Sequence, residues 1–313
     1  MRGDAPKVGL TFRLPSHLIA RLREQFPEIG FAGPGLDAPF ETIQAEVLLG
    51  WPRPEFVRAA KSLKWIQLFA VGAEIIDFPH VRERGIVVTN ARGVGSPNIA
   101  EHVLAMMLHF NRRLGQLLRA QFDRRWIEKN SFDYPELDGQ TVTIVGAGSI
   151  GREIAKRARA LGMRAFGINQ DGRAVEGFER VVAAKDSTSV LSPADHVVLC
   201  VPGVDANARM IDAAWLSQMK PGAYFYNVGR GNLVDENALL AALDCDLVGG
   251  AGLDVTAVEP LPAEHPFWKH PKVLLTQHKA MNSYRYWERL TQLFAENLGC
   301  FVLGRPIFNI VQA

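Results

Sequence analysis

Short runs of β-branched and aromatic residues alternate along this chain with stretches in which apolar side chains recur every three or four positions. In the first third the runs fall at residues 7–12, 46–49, 65–69 and 86–89, and a helix-like stretch occupies 54–63. A second series opens at residue 141, where TVTIV, RAFGI, HVVLCV, AYFYNV, LVGGAGLDV and KVLLT read as strands. Helices at 150–161, 212–219 and 235–243 are expected between them. Strands that alternate with helices predict parallel sheets, here two of them. From Pro97, IAEHVLAMMLHFNRRLGQLLRAQF predicts one long amphipathic helix with a basic tail, joining the two series. After residue 283, YRYWERLTQLFAENLGCFVL predicts a helix that returns to complete the first domain, which is therefore discontinuous.

A length of 313 residues agrees, because it exceeds what one ordinary core accommodates. With 48% hydrophobic and 22% charged residues the composition is that of a globular protein. The 35 basic and 33 acidic residues are interspersed, so no broad basic field offers itself to nucleic acid or an anionic membrane. Cys200, Cys245 and Cys300 lack the spacing of a disulfide framework or a zinc site, and no metal is expected. No secretory leader or membrane-spanning stretch is read, so the expected setting is the cytoplasm.

The segment TVTIV-GAGSIG-REIAKRARALG sets Gly146, Gly148 and Gly151 between a strand and a helix, the context a dinucleotide loop requires. Gly146 would make the tight turn, Gly148 would admit the pyrophosphate, and Gly151 would let helix and strand pack closely. The amides of Ser149 and Ile150 would face the anion. After the next strand, Asn169 and Gln170 stand where an acidic residue usually meets the ribose of NAD, with Arg173 nearby. A neutral Asn169 tolerates a 2′-phosphate and Arg173 can pair with one, which favours NADP over NAD; a plain polar turn is the alternative.

Arg230, Glu259 and His278 each follow a strand run by a few residues, so three separate segments would deliver them to one edge of the sheet, where such sheets bind ligands. A carbonyl that accepts hydride develops negative charge on oxygen, and the imidazolium of His278 can protonate it. Glu259 would orient the ring and favour its charged form. Arg230 would bind the substrate's carboxylate or carbonyl oxygen. Val71, Gly72 and Ala73 follow another strand and could offer backbone amides to a carboxylate. Each of these residues also has an ordinary explanation in a turn or domain edge; their convergence is what points to catalysis.

The segments VGAEIID (71–77), AEHVLAMML (100–108), GAGSIG, MKPGAYFYNVGRGNLVDENAL (219–239), GGAGLDVTAVEPLP (249–262) and HPKVLLTQH (270–278) together resemble the D-isomer-specific 2-hydroxyacid dehydrogenase family over nearly the whole chain. The resemblance implies an α/β protein of two doubly wound domains: a flavodoxin-like substrate domain at 1–98 with 282–313, and a Rossmann cofactor domain at 99–281. It implies Arg230, Glu259 and His278 as the catalytic trio, and Asp254 as partner of the nicotinamide carboxamide. Val201, Pro202 and Val228 would be further cofactor contacts. A small 2-oxo or 2-hydroxy acid is the implied substrate, and a homodimer through the cofactor domain the implied assembly, with Trp126 beside the partner. Three positions depart from the family's pattern: Gln277 replaces the proline of Thr-Pro-His, Lys279 replaces an apolar residue, and Asn169 replaces an acid. Related corepressors that sense the cofactor, and a branch that oxidises formate or phosphite, are the alternatives.

Overall fold

In the computed structural model, which describes residues 6–36, 44–202 and 207–311, the apolar runs become strands between helices. The first unit, Met1–Gly95 with Ser283–Ala313, begins with β1 (Lys7–Leu10), α1 (Ser16–Gln25), β2 (Gly30–Ala32) and β3 (Val47–Gly50). It continues through α2 (Pro54–Ala59), β4 (Trp65–Leu68), α3 (Phe78–Glu83) and β5 (Val87–Thr89). The second unit, Ser96–Asn282, opens with α4 (Ser96–Asn111), α5 (Leu114–Phe122), β6 (Thr141–Val145), α6 (Ser149–Ala160), β7 (Arg164–Asn169) and β8 (Arg180–Ala183). Then come α7 (Thr188–Leu191), β9 (His196–Leu199), α8 (Ala213–Leu216), β10 (Ala223–Asn227), α9 (Glu236–Asp244), β11 (Val248–Leu253) and β12 (Val273–Leu275). Helix α10 (Tyr286–Val302) belongs to the first unit again.

The first sheet has the order β2-β1-β3-β4-β5, with every pair parallel. Side chains alternate between its faces, as a strand's period of two requires. Val47 and Leu49 join Leu18, Leu22 and Phe294 on one face, while Leu48 joins Val57, Val81 and Val88 on the other. Gln67 is fully buried but satisfied: its Oε1 accepts from Thr89 Oγ1 at 2.8 Å and from Asn297 Nδ2 at 3.2 Å. Asn297 also accepts from the backbone amide of Phe308 at 2.6 Å. The segment beyond it lies antiparallel to β5, through a Thr89–Ile310 bridge and a 2.9 Å bond from Val311 N to Val88 O.

The second sheet runs β12-β11-β10-β9-β6-β7-β8, again all parallel. The strand order reverses at β6, beside which β9 and β7 lie on opposite sides. Val142, Ile144, Val198 and Tyr226 face α4 and α6 residues such as Val103, Met106 and Ile154. Val145, Val197, Leu199, Phe225 and Leu253 face the opposite cluster with Leu239 and Leu243 of α9. Both faces are thus covered, and each large apolar side chain so withdrawn from water contributes about 2 kcal/mol.

Four details differ from the reading of the sequence. The long helix expected from Pro97 is two, α4 and α5, because Arg113 adopts φ 56, outside helical space. Helix α2 ends at Ala59 instead of residue 63, and α8 spans only Ala213–Leu216 of the expected 212–219. Two strands went unread, β2 (GFA) and β8 (RVVA), one at an edge of each sheet.

Candidate active site

The glycine loop leaves β6 at Gly146, whose φ of 108° is left-handed and whose amide donates to Ile168 O of β7 at 2.9 Å. A Cβ at Gly151 would sit 2.2 Å from Gly146 O, so only glycine lets α6 approach the turn this closely. At Gly148, by contrast, a Cβ would meet nothing within 4 Å. That open ground lies at the N-cap of α6, which no side chain caps, so the first amides of the helix are available to an anion. Val201 closes the other flank, its Cγ1 lying 2.9 Å from where a Gly146 Cβ would stand. The Cys200 thiol donates to Gly146 O at 3.1 Å, and burial pushes its pKa up to about 12, which keeps it neutral and inert. A pyrophosphate therefore fits this loop on steric and dipolar grounds. Val228 is buried directly after β10, with its amide on Leu199 O. Pro202 accepts from Asn207 Nδ2 at 2.9 Å, and residues 203–206 lie outside the described chain.

Beyond β7, Asn169 holds its own turn. Its Oδ1 accepts from the Gly172 amide at 2.6 Å and its Nδ2 donates to Arg173 O at 2.9 Å. Gln170 and Arg173 are exposed. No carboxylate occupies the end of this strand, and Asp171 is drawn back to the Arg173 amide at 3.1 Å.

Three adjacent parallel strands, β10, β11 and β12, carry the proposed reacting residues just past their carboxyl ends. Asn227 terminates β10 and shapes the next turn, accepting from Gly229 N at 3.0 Å and donating to Arg230 O at 3.0 Å. Gly231 then presses against the loop after β11, where a Cβ would be 1.9 Å from Thr256 C. This close approach brings the Arg230 segment onto the loop that carries Glu259. The Arg230 guanidinium is half-buried and donates to Gly229 O at 2.9 Å.

Glu259 divides its carboxylate: Oε1 accepts from Thr256 N at 3.1 Å and Oε2 meets His278 Nδ1 at 2.7 Å. An ionised carboxylate only accepts, so the Nδ1 proton points at Glu259 and Nε2 is left as the nitrogen that exchanges protons. The imidazole is 48% exposed, open to a reactant. A cavity of about 350 Å³, lined by Leu253, Leu261, Trp268, Leu275 and Gln277, adjoins the pair.

The backbone that presents His278 is unusual. Gln277 and His278 both lie at positive φ, 51° and 58°. A proline's ring fixes φ near −65°, so a proline could not adopt the φ seen at Gln277. Asp254, only 4% exposed, organises this loop. Its carbonyl accepts from His278 N at 2.6 Å, and its Oδ1 accepts from Thr276 Oγ1 at 2.6 Å and from Lys279 N at 2.9 Å. Ala280 N donates to Oδ2 at 3.1 Å, leaving that oxygen with acceptor capacity. Two α4 residues that sequence reasoning passed over join in: His102 Nε2 lies 2.8 Å from Thr276 Oγ1, and Asn98 Nδ2 donates to Ala280 O at 2.8 Å. The Lys279 side chain is exposed, with no ion-pair partner among the described residues.

Val71, Gly72 and Ala73 follow β4 in the first unit. Asn90 Nδ2 donates to Val71 O at 2.7 Å, and the Glu74 carboxylate lies against Gly72, 2.3 Å from where a Cβ would be. Among the described residues no cluster suited to a metal ion and no helix long and apolar enough to cross a membrane occurs.

Residues 104–280 match the family described as D-isomer specific 2-hydroxyacid dehydrogenase, NAD binding domain. A glycerate dehydrogenase of Methylorubrum extorquens is 33% identical over 271 residues, which cover 83% of this chain and 82% of that protein. A glyoxylate reductase of Korarchaeum cryptofilum is 31% identical over 98% of this chain and 96% of its own. The crystal structure of a D-isomer specific 2-hydroxyacid dehydrogenase family protein from Aeromonas salmonicida is similar with a TM-score of 0.82, at 29% identity over 98% of this chain and 99% of that one. With a glycine loop at one point of the parallel sheet and a carboxylate–imidazole pair at another, the chain belongs to the D-isomer specific 2-hydroxyacid dehydrogenases, NAD(P)-binding enzymes that act on 2-hydroxy acids.

Proposed function

We propose that the enzyme reduces a small 2-oxo acid of the glyoxylate or hydroxypyruvate kind to its D-2-hydroxy acid, with NADPH preferred over NADH. The observation that carries this reading is the 2.7 Å contact of His278 Nδ1 with Glu259 Oε2, held at the carboxyl ends of adjacent strands of the sheet that bears the glycine loop. Bound at that loop, the nicotinamide cofactor supplies the hydride. His278 Nε2 delivers a proton to the carbonyl oxygen as negative charge builds there. Glu259 stays ionised, stabilises the imidazolium and keeps the ring from rotating. Arg230 holds the substrate's carboxylate or carbonyl oxygen with a charge that no working pH removes. Val71, Gly72 and Ala73 are the candidate substrate contacts of the first unit, through their backbone amides. Asp254, whose Oδ2 keeps acceptor capacity, would hold the carboxamide of the cofactor. In the reverse direction His278 accepts the proton.

Gly146, Gly148, Ser149, Ile150 and Gly151 bind the pyrophosphate, with Val201, Pro202 and Val228 as neighbouring contacts. Asn169, Gln170 and Arg173 would meet the ribose, and the absence of a carboxylate among them supports NADPH. Residues 1–98 with 282–313 serve the substrate and 99–281 the cofactor. The apolar side chains of Leu118, Phe122 and Trp126 (89% exposed) support a homodimer built through the cofactor domain. Three free thiols suit a cytoplasmic setting.

Loss of the nicotinamide absorbance, followed with glyoxylate, hydroxypyruvate and pyruvate against NADPH and NADH, tests the reading; phosphite and formate with the oxidised cofactors complete the panel. Turnover of a 2-oxo acid with a lower KM for NADPH is expected. Silence towards every 2-oxo acid refutes the reductase, and a strong preference for NADH refutes the role given to Asn169 and Arg173.

A further inference from the structure

The loop 276–280 that presents His278 is gripped at both ends by one helix face. Asn98 and His102 are four residues apart on α4 and therefore project from the same side of it. Asn98 Nδ2 donates to Ala280 O at 2.8 Å, and His102 Nε2 lies 2.8 Å from Thr276 Oγ1 and 3.7 Å from Asp254 Oδ1. Between these two anchors stands His278.

The direction of the hydrogen bonds follows from counting protons. Thr276 has one hydroxyl proton, and at 2.6 Å it is donated to the ionised Asp254 Oδ1. The Thr276 oxygen is then an acceptor towards His102, so His102 carries a proton on Nε2. The bonds run in one sense, from His102 to Thr276 to Asp254, and Asp254 binds the backbone amides of Lys279 and Ala280 while its carbonyl holds that of His278. This matters because Gln277 and His278 both adopt left-handed φ, a conformation that costs about 1 kcal/mol or more per residue and persists only where its surroundings enforce it.

We propose that His102 is a positioning residue for the proton-transferring imidazole: through Thr276 and Asp254 it holds the strained 276–280 loop, and with it the direction of His278 Nε2. Asn98 secures the loop's other end. The inference rests on the reading of His278 as the proton donor. His102 touches no reacting atom, and its effect is on where the donor stands.

The test compares the full-length enzyme with His102→Leu, Thr276→Val, the double variant and His102→Gln. For each single loss kcat falls about tenfold, as misplacement of a catalytic group predicts, while KM for the 2-oxo acid and the binding of NADPH stay near wild type. The double variant is no slower than the worse single one, because both remove the same chain of bonds. His102→Gln, which can still donate to Thr276, recovers most of the rate. A kcat for His102→Leu within about twofold of wild type overturns the proposal, as do multiplying effects or a rate loss that tracks the melting temperature without rescue by glutamine. If His102→Leu fails to fold, Thr276→Val removes the same bond with hardly any change of shape. Should the wild-type chain reduce no 2-oxo acid, the reductase reading fails, and the positioning inference is then read from hydrogen exchange at the Lys279 and Ala280 amides. Faster exchange in His102→Leu supports it; unchanged exchange overturns it.

Discussion

Two histidines of the second unit, His196 and His278, lie at opposite ends of its strands and in opposite surroundings. His196 begins β9, at the amino end, and is fully buried between Tyr224 and Tyr226. Its Nε2 donates to Gln140 Oε1 at 2.8 Å and its Nδ1 accepts from Tyr226 Oη at 3.0 Å. Both ring nitrogens are spoken for by neutral groups, and burial pushes the pKa down to about 4. His278 lies beyond the carboxyl end of β12, paired through one nitrogen with a carboxylate and free at the other. The same side chain is a structural polar group where the sheet closes on it and, in the function proposed above, a proton carrier where the strands end. The surroundings differ in kind: burial keeps the His196 ring neutral, whereas His278 stands half exposed with Glu259 on one nitrogen.

The comparison breaks first at His278. His278→Ala should lower kcat by about a thousandfold and leave the melting temperature almost unchanged, measured by steady-state turnover and calorimetry. A comparable loss of stability would place His278 with His196 as a structural residue.

The converse change, His196→Leu, leaves the buried Tyr226 hydroxyl without its partner and Gln140 Oε1 with Asn111 Nδ2 alone, and should destabilise the fold by about 2–3 kcal/mol in urea at pH 8, with kcat per folded molecule unchanged. Acid sharpens this. An unfolded chain protonates the ring near 6.5 while the folded one resists until about 4, so the stability gained by keeping His196 neutral is complete above pH 6.5 and shrinks as pH falls towards 4. About 3 kcal/mol is lost over that window in the wild type, and the Leu variant should lack this slope. Parallel pH–stability curves for the two proteins would contradict the assignment.

The smallest effect is expected beside His278. Gln277→Gly relieves one left-handed residue and should raise stability by about 1 kcal/mol, whereas a proline at this position would force φ away from its observed 51°. Denaturant midpoints of the glycine variant check this; a decrease would mean that the Gln277 side chain holds the loop in another way.

The sheets were legible because their strands are apolar runs between turn residues, and the placement of Arg230, Glu259 and His278 beyond strand ends was legible because each follows such a run. The structure joins Glu259 to His278 directly and brings the Arg230 segment onto the Glu259 loop through Gly231. β2 and β8 were not legible: GFA and RVVA are short edge strands with little to set them apart from loops. The break at Arg113 carries no proline, and apolar spacing continues through it, so a left-handed arginine leaves no trace in periodicity. His102 was hidden differently. It lies inside AEHVLAMML, whose pattern announces a helix, and only the distant segment at 276 shows what its imidazole meets.

The segment that follows α10 has a consequence for how molecules of this protein behave when crowded. A parallel sheet that stops at β5 would show a row of bare amides and carbonyls, a template on which a second chain could stick. By turning back along Val88 and Thr89, the residues around Ile310 occupy that row, so the last stretch of chain acts as a built-in guard against self-adhesion.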